Sequence, residues 1–273
     1  MKIRLGILDG NRNYLDRLSS GFSERYSDSL EIYLFTNIES ARNNIRDKKI
    51  DVLLANDSFS LKPEELPQKC GFAWFVDTPG VDAIGGYPAI CKFQKADLIY
   101  KQILNVYSEV AGNIDRKRMP REEETFLSVF SSPAGGVGNT TLAIAYAIHL
   151  ASLGKKVFYL NLEDISSTDA YLNDEGSFSF SEVIYAIKSN KSNLSLKLES
   201  SMKHDACGVY FFAAPKTVLD MAELSKQERI MLINTLAADG GFDHVVIDTD
   251  FKTNKSCIDR RAVYKIATAL FRT

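Results

Sequence analysis

The chain has 273 residues, which at ~150 residues per domain suggests about two domains, each long enough to bury a core without disulfide or metal staples. Its 33 Lys and Arg against 35 Asp and Glu leave a formal net charge of −2, which argues against a strongly basic nucleic-acid binder. With 45% hydrophobic and 25% charged residues, the composition is that of a soluble globular protein and not of a disordered chain.

No apolar run reaches the ~18 residues of a membrane span. The opening Met1-Lys2-Ile3-Arg4 leads straight into an alternating strand pattern without the apolar core of a signal peptide. Cys70, Cys91, Cys207 and Cys257 are far apart and form no Cys-x-x-Cys pair, so reduced, packed cysteines in a cytoplasmic protein are expected. His149 and His244 lie in an apolar helix and strand, and with His204 they show no metal-ligand spacing.

In the first half, Ile3, Leu5 and Ile7 share one face of a strand over 3–8. Asp9-Gly10-Asn11 supplies turn and cap chemistry, and Leu15, Leu18 and Phe22 follow at helical spacing. Strands are predicted at 30–35, 51–55, 72–76 and 89–93, with a short helix over 38–48. Thr78-Pro79-Gly80 reads as a turn. Asp97 is expected to cap a last helix whose apolar face holds Ile99, Ile103, Val106 and Val110. Strands alternating with helices imply a parallel α/β sheet.

This pattern resembles the receiver domain of response regulators, a flavodoxin-like fold. The resemblance implies an acidic residue after the first strand, met by Asp9, and a Lys after the fifth, met by Lys92. At the phosphoacceptor position stands Asn56, with Asp57 one residue later. An amide has no anionic oxygen to attack a phosphoryl donor. An atypical receiver is therefore expected, with its acidic pocket thinned to roughly one carboxylate. Asp57 remains open as a shifted acceptor, because a one-residue slip at a strand end redirects the side chain.

Residues 113–124 are polar and charged and read as a linker between domains at 1–112 and 125–273. Its basic cluster Arg116-Lys117-Arg118 reads as solvated. Beyond it, a strand over 125–131 runs into Pro133-Ala134-Gly135-Gly136-Val137-Gly138-Asn139-Thr140-Thr141 and then a long apolar helix stopped by Gly154. Strand, Gly-rich loop and helix are the context a phosphate loop requires. Its glycines let backbone N–H groups converge on an anion, and the helix N-terminus adds partial positive charge. Gly135, Gly136, Val137, Gly138, Asn139, Thr140 and Thr141 are the candidate nucleotide-binding residues, with the Thr140 hydroxyl placed for Mg²⁺. Strands are also read at 157–162 and 208–213. A capping box at Ser225-Lys226-Gln227-Glu228 opens a helix with Ile230, Ile233 and Leu236 on its apolar face. Gly240-Gly241 closes that helix, and the apolar strand His244–Asp250 carries Asp248 as a Walker B carboxylate for Mg²⁺.

The loop resembles the deviant phosphate loop of the ParA/MinD family of ATPases, with two departures. Asn139 replaces the loop lysine that reaches the β- and γ-phosphates, and Ala134 replaces the family-specific lysine that crosses to the partner's nucleotide. Losing one charge-assisted contact of ~1.5–3 kcal/mol weakens binding by roughly 10–150-fold, and hydrolysis suffers more. The resemblance also implies a pair of aspartates after the 157–162 strand. Asn161 and Glu163 stand there, which makes Glu163 the candidate catalytic residue.

Taken together the chain resembles TadZ/CpaE-type proteins of the Tad (Flp) pilus assembly system, carried by ICKFQKADLIYKQIL (90–104), SSPAGGVGNTT (131–141) and KKVFYLNLED (155–164). The implied architecture is α/β: a flavodoxin-like receiver domain followed by an incomplete ParA/MinD-like P-loop NTPase parallel-sheet domain. The implied activity is that of a homodimeric factor that binds ATP and Mg²⁺, hydrolyses ATP weakly or not at all, and works with Tad pilus components, often at a cell pole. The last predicted strand, 266–271, nearly ends the chain at Thr273, where members of that family continue. An uncovered sheet edge is expected to make the isolated monomer behave poorly in solution. The alternatives are a nucleotide-free scaffold and a receiver-like signalling regulator. No basic stripe supports DNA binding.

Overall fold

A computed structural model describes residues 2–111, 125–189 and 193–250. The chain divides into two compact units, residues 1–116 and 117–273. The predicted linker at 113–124 with its basic cluster, Cys257 and the strand read at 266–271 lie outside the described residues.

The first unit runs β1 (Ile3–Leu8), α1 (Arg12–Tyr26), β2 (Leu30–Phe35), α2 (Ile38–Asp47), β3 (Val52–Asn56), β4 (Gly71–Val76), β5 (Ala83–Ile84), β6 (Tyr87–Cys91) and α3 (Ala96–Val110). The sheet order is β2-β1-β3-β4-β6-β5, parallel except for β5, which pairs antiparallel with β6. This is the doubly wound flavodoxin-like arrangement, whose functional crevice lies at the carboxyl ends of the strands. On one face, Ala41 and Ile45 of α2 pack with Leu8, Leu53 and Ala55. The helices α1 and α3 touch each other and bury Leu15, Leu18 and Phe22 together with Ile99, Ile103 and Leu104.

Helices do not fill every crossover. Between β3 and β4 only a 3-10 turn at Pro63–Glu65 forms, because Pro63 and Pro67 each remove a backbone donor. Between β4 and β6, Gly80, Gly85 and Gly86 take positive φ and the chain folds into the short β5–β6 hairpin. The expected cap of α3 also moves. Lys95 occupies the N-cap position, while Asp97 sits in the first turn and accepts from the Tyr26 hydroxyl at 2.7 Å and Arg25 at 2.9 Å. Asp97 thus ties α3 to α1 and still complements the helix dipole.

The second unit runs β7 (Phe126–Phe130), α4 (Asn139–Ser152), β8 (Val157–Asn161), α5 (Phe180–Lys188), α6 (Leu194–Ser201), β9 (Lys203–His204), β10 (Val209–Phe211), α7 (Val218–Glu223), α8 (Lys226–Asp239) and β11 (His244–Asp248). The order is β7-β11-β8-β10-β9, parallel except for β9. Ala143, Ile144, Ala147 and Leu150 of α4 cover one face. Residues of α5, α7 and α8, among them Val183, Ile187, Met221, Leu232 and Leu236, cover the other. In α8, Leu232, Ile233 and Leu236 are buried and Ile230 is only partly so. The capping box is present, with Glu228 Oε2 accepting from Ser225 N at 2.7 Å.

Candidate functional site

Two polar clusters lie at strand carboxyl ends, one in each unit. In the first, β1, β3, β4 and β6 deliver Asp9, Asn56, Asp77 and Lys92. Asp9, Asn56 and Lys92 are buried. The Lys92 Nζ pairs with Asp9 Oδ2 at 2.5 Å and Asp77 Oδ1 at 2.6 Å. Burial pulls the Lys92 pKa down, but the bonds to Asp77 and Asp9 outweigh it and the net direction is up. The other Asp9 oxygen accepts from Asn11 N at 2.7 Å. Asn56 donates to the Phe75 carbonyl at 3.0 Å and accepts from the backbone and hydroxyl of Ser58.

This geometry holds an amide, already bonded on both sides, at the end of β3. Asp57 is exposed in the turn that follows. The lysine ammonium neutralises the carboxylates that line the pocket. Asp77 is the residue that sequence reasoning missed here, although its place directly after β4 mirrors that of Asp9 after β1.

In the second unit, the loop between β7 and α4 carries Gly136 and Gly138 at φ 74° and 85°. A Cβ built on Gly135, Gly136 or Gly138 meets nothing within 4 Å, so the loop has open space in front of it. Gly138 occupies the N-cap of α4 and no side chain caps that helix. Its first N–H groups are therefore free to face an anion. The donor set fits a phosphate.

Beneath the loop, β11 is flanked by β7 and β8, with Asp248 in register with Phe130 and Asn161. Asp248 is fully buried. Asn139 Nδ2 donates to its Oδ1 at 2.7 Å, and the Tyr159 hydroxyl donates to its Oδ2 at 2.9 Å. Burial raises the Asp248 pKa, while bonds from Thr140, Tyr159 and Asn139 oppose the rise. Glu163, after β8, lies 3.3 Å from the Thr140 hydroxyl and 3.4 Å from Asn161 Nδ2, and its backbone N–H is held by Asn161 Oδ1 at 2.9 Å. Burial and then the Asp248 charge raise its pKa. Neither carboxylate pairs with a lysine or arginine among the described residues.

Asn139, Thr140, Glu163 and Asp248 thus come together as the sequence predicts, and Gly135, Gly136, Val137 and Gly138 form the loop over them. Thr141 lies at the side, 3.4 Å from the Tyr171 hydroxyl. Tyr159 was not foreseen, because a tyrosine within an apolar strand reads as core. Arg229 was also missed. It is buried in α8 and donates to the carbonyls of Leu162 at 2.9 Å, Met221 at 2.8 Å and Leu224 at 3.2 Å. The histidines lie elsewhere. His149 is exposed on α4, and His244 stacks on Phe126 with ring centroids 5.2 Å apart. No helix among the described residues is long and apolar enough to cross a membrane.

The family model described as TadZ-like, receiver domain, matches residues 1–108. Residues 1–108 are similar to TadZ-like receiver domains. No curated protein sequence matches the chain. Similar solved structures include a ParA family ATPase from Chlorobium tepidum TLS, at 17% identity and TM-score 0.41, covering 51% of this chain and 56% of that one. Cobyrinic acid a,c-diamide synthase from Mycobacterium smegmatis, with bound ATP analogue and magnesium, is 18% identical at TM-score 0.38, covering 46% and 50%. A plasmid partition protein from Borrelia burgdorferi is 20% identical at TM-score 0.37, covering 46% and 57%. The chain spans about half the length of these structures. The residues that match the TadZ-like receiver model are followed by a parallel sheet in which a strand, a glycine-rich loop and a helix succeed one another.

Proposed function

We propose that the chain is an ATP-binding, homodimer-forming assembly factor of a Tad-type pilus system, with weak or absent hydrolysis, that acts in the cytoplasm and positions pilus components. The observation that supports this reading is one chain carrying both a TadZ-like receiver domain and an open phosphate loop with Asn139, Thr140, Glu163 and Asp248 converging beneath it. The division of labour follows as receiver-like domain 1–112, linker 113–124 and ATPase domain 125–273.

In this reading the N–H groups of 135–141 bind the polyphosphate, and the Thr140 hydroxyl faces the accompanying Mg²⁺. Bound Mg²⁺ supplies charge neutralisation that the missing lysines do not. Glu163, the candidate catalytic residue, would act on a water beside the Thr140 hydroxyl, including one carried by the cation. With Asn139 and Ala134 in place of lysines, transition-state charge finds few cationic partners, so slow hydrolysis is expected. A switch requires different affinities for ATP and ADP.

The test is calorimetric titration with MgATP and, separately, MgADP, against Gly138→Val, which would strain the positive-φ loop and fill its open space. Tighter binding of ATP, lost in the variant, supports the nucleotide switch. No binding at millimolar nucleotide would leave the scaffold reading. That second reading has its own supporting contact, the Asn139–Asp248 bond, which shapes the loop without a ligand. A receiver-like signalling role is opposed by Asn56 and by the Lys92 ion pairs. Labelling by acetyl phosphate that vanishes in Asp57→Asn would revive it.

A further inference from the structure

The two carboxylates under the phosphate loop are not equivalent. Asp248 is fully buried, and each of its oxygens accepts a short bond, from Asn139 at 2.7 Å and Tyr159 at 2.9 Å. Rotating Asp248 away from these donors toward a hydrated cation would strand the fully buried Tyr159 phenol and release the partly buried Asn139 amide, an expensive exchange. Glu163 is different. It is partly exposed, and its side-chain contacts, at 3.3 Å to Thr140 and 3.4 Å to Asn161, are long and easily exchanged. Its backbone N–H is bonded to Asn161 Oδ1 at 2.9 Å, which fixes the turn that carries the carboxylate to the Thr140 hydroxyl.

The residue at the lysine position completes the picture. A lysine there would extend to the phosphates, whereas the short Asn139 side chain turns back onto Asp248 and pins the first residue of α4 to β11. The pinned loop keeps its shape without a cationic side chain. What it lacks is positive charge.

We propose that Asp248 in this chain is a latch for Asn139 and Tyr159 and not the carboxylate that meets the nucleotide's divalent cation, and that Glu163, beside Thr140, meets it instead. The assignment rests on the nucleotide-binding reading and refines it. Asp248 becomes a positioning residue, and nucleotide binding becomes strictly dependent on a divalent cation, since among the described residues neither Glu163 nor Asp248 has a lysine or arginine beside it to offset the polyphosphate charge.

The experiment uses Mn²⁺ as the probe, followed by the electron paramagnetic resonance of the free ion, titrated into the full chain with ATP present. Calorimetry with ATP and EDTA runs alongside. Glu163→Gln is expected to weaken Mn²⁺ by at least about 10-fold, with Glu163→Asp recovering part of the loss. Tyr159→Phe and Asp248→Asn are expected to lower the melting temperature while changing Mn²⁺ affinity by less than about threefold, well short of the loss typical when a metal site is damaged. Tyr159→Phe keeps the test valid if Asp248→Asn does not fold. Loss of Mn²⁺ in Asp248→Asn or Tyr159→Phe, with Glu163→Gln unaffected, would overturn the assignment while leaving nucleotide binding intact. Tight ATP binding in EDTA would overturn the cation dependence. Absence of ATP binding by the wild-type chain, with or without cation, would refute the underlying reading and the assignment with it.

Discussion

Replacing Lys92 by Ala should destabilise the first unit by about 3–5 kcal/mol, the cost of stranding a buried charge. The side chains of Lys92 and Asp9 are 7% and 3% exposed, whereas Asp77 is 65% exposed. The cost therefore falls on Asp9, whose remaining bond is to the Asn11 N–H. The Asp77 arm is solvent-screened, so Asp77→Asn should cost less than about 1 kcal/mol. Neutralising both buried partners, in Lys92→Met with Asp9→Asn, should recover much of the loss, because no unpaired charge remains. Trp74 is the only tryptophan in the chain. It sits in β4 against Phe72, with ring centroids 4.9 Å apart, so its fluorescence in a urea titration reports this unit alone. A Lys92→Ala loss below about 1 kcal/mol, or a double variant as unstable as Lys92→Ala, would refute a buried, charge-balanced pair. The pH profile offers a second check. The folded Lys92 pKa lies above its ordinary 10.5, so the contribution is complete below that value. It disappears as pH rises through the higher folded value, and the pair adds no slope between pH 7 and 9.

Gly71→Ala should destabilise the same unit by about 1–3 kcal/mol, because the new Cβ would lie 2.9 Å from Val106 Cγ1 where α3 crosses β4; urea midpoints by Trp74 fluorescence check it. Ser225→Ala should cost the second unit about 1 kcal/mol by removing half of a capping box, read by far-UV circular dichroism on heating. The Ser225 bonds, with Lys188, hold Glu228 down to about 2 against its ordinary 4.5. That stability is present above pH 4.5 and is lost as pH falls toward 2, so wild type and variant should converge in acid. Arg229→Ala removes the guanidinium donor from the carbonyls of Leu162 and Leu224, and one of two donors from that of Met221. It should cost about 3 kcal/mol or more in thermal melts, whereas exposed Lys226→Ala should stay within about 0.5 kcal/mol.

Much of both sheets was legible from local pattern. β1 follows from alternation, β11 from an apolar run that ends in Asp248, and the glycine-rich loop from its place between a strand and a helix. The missing crossover helices of the first unit were legible in principle, since Pro63, Pro67 and three glycines occupy the two segments. The Asp97 cap was misplaced by two residues, from the Lys95 N-cap into the first turn, because Tyr26 and Arg25, distant in sequence, compete for the same carboxylate. Tyr159 and Arg229 were not legible. An apolar strand does not announce that its tyrosine hydroxyl finds a buried carboxylate, nor does a helix announce that its arginine turns inward.

The sequence alone therefore determined the α/β class, the glycine-rich loop between a strand and a helix, Ala134 and Asn139 within that loop, and Asn56 at the end of the third strand, because each depends on residue type within a short window. Only the tertiary structure decided what those changes are bonded to. Lys92 meets Asp9 and Asp77 because β6 lies beside β4 in the sheet order, and Asn139 meets Asp248 because β11 inserts between β7 and β8. Strand order is set by which apolar faces can be buried together, a property of the whole chain that no local window contains.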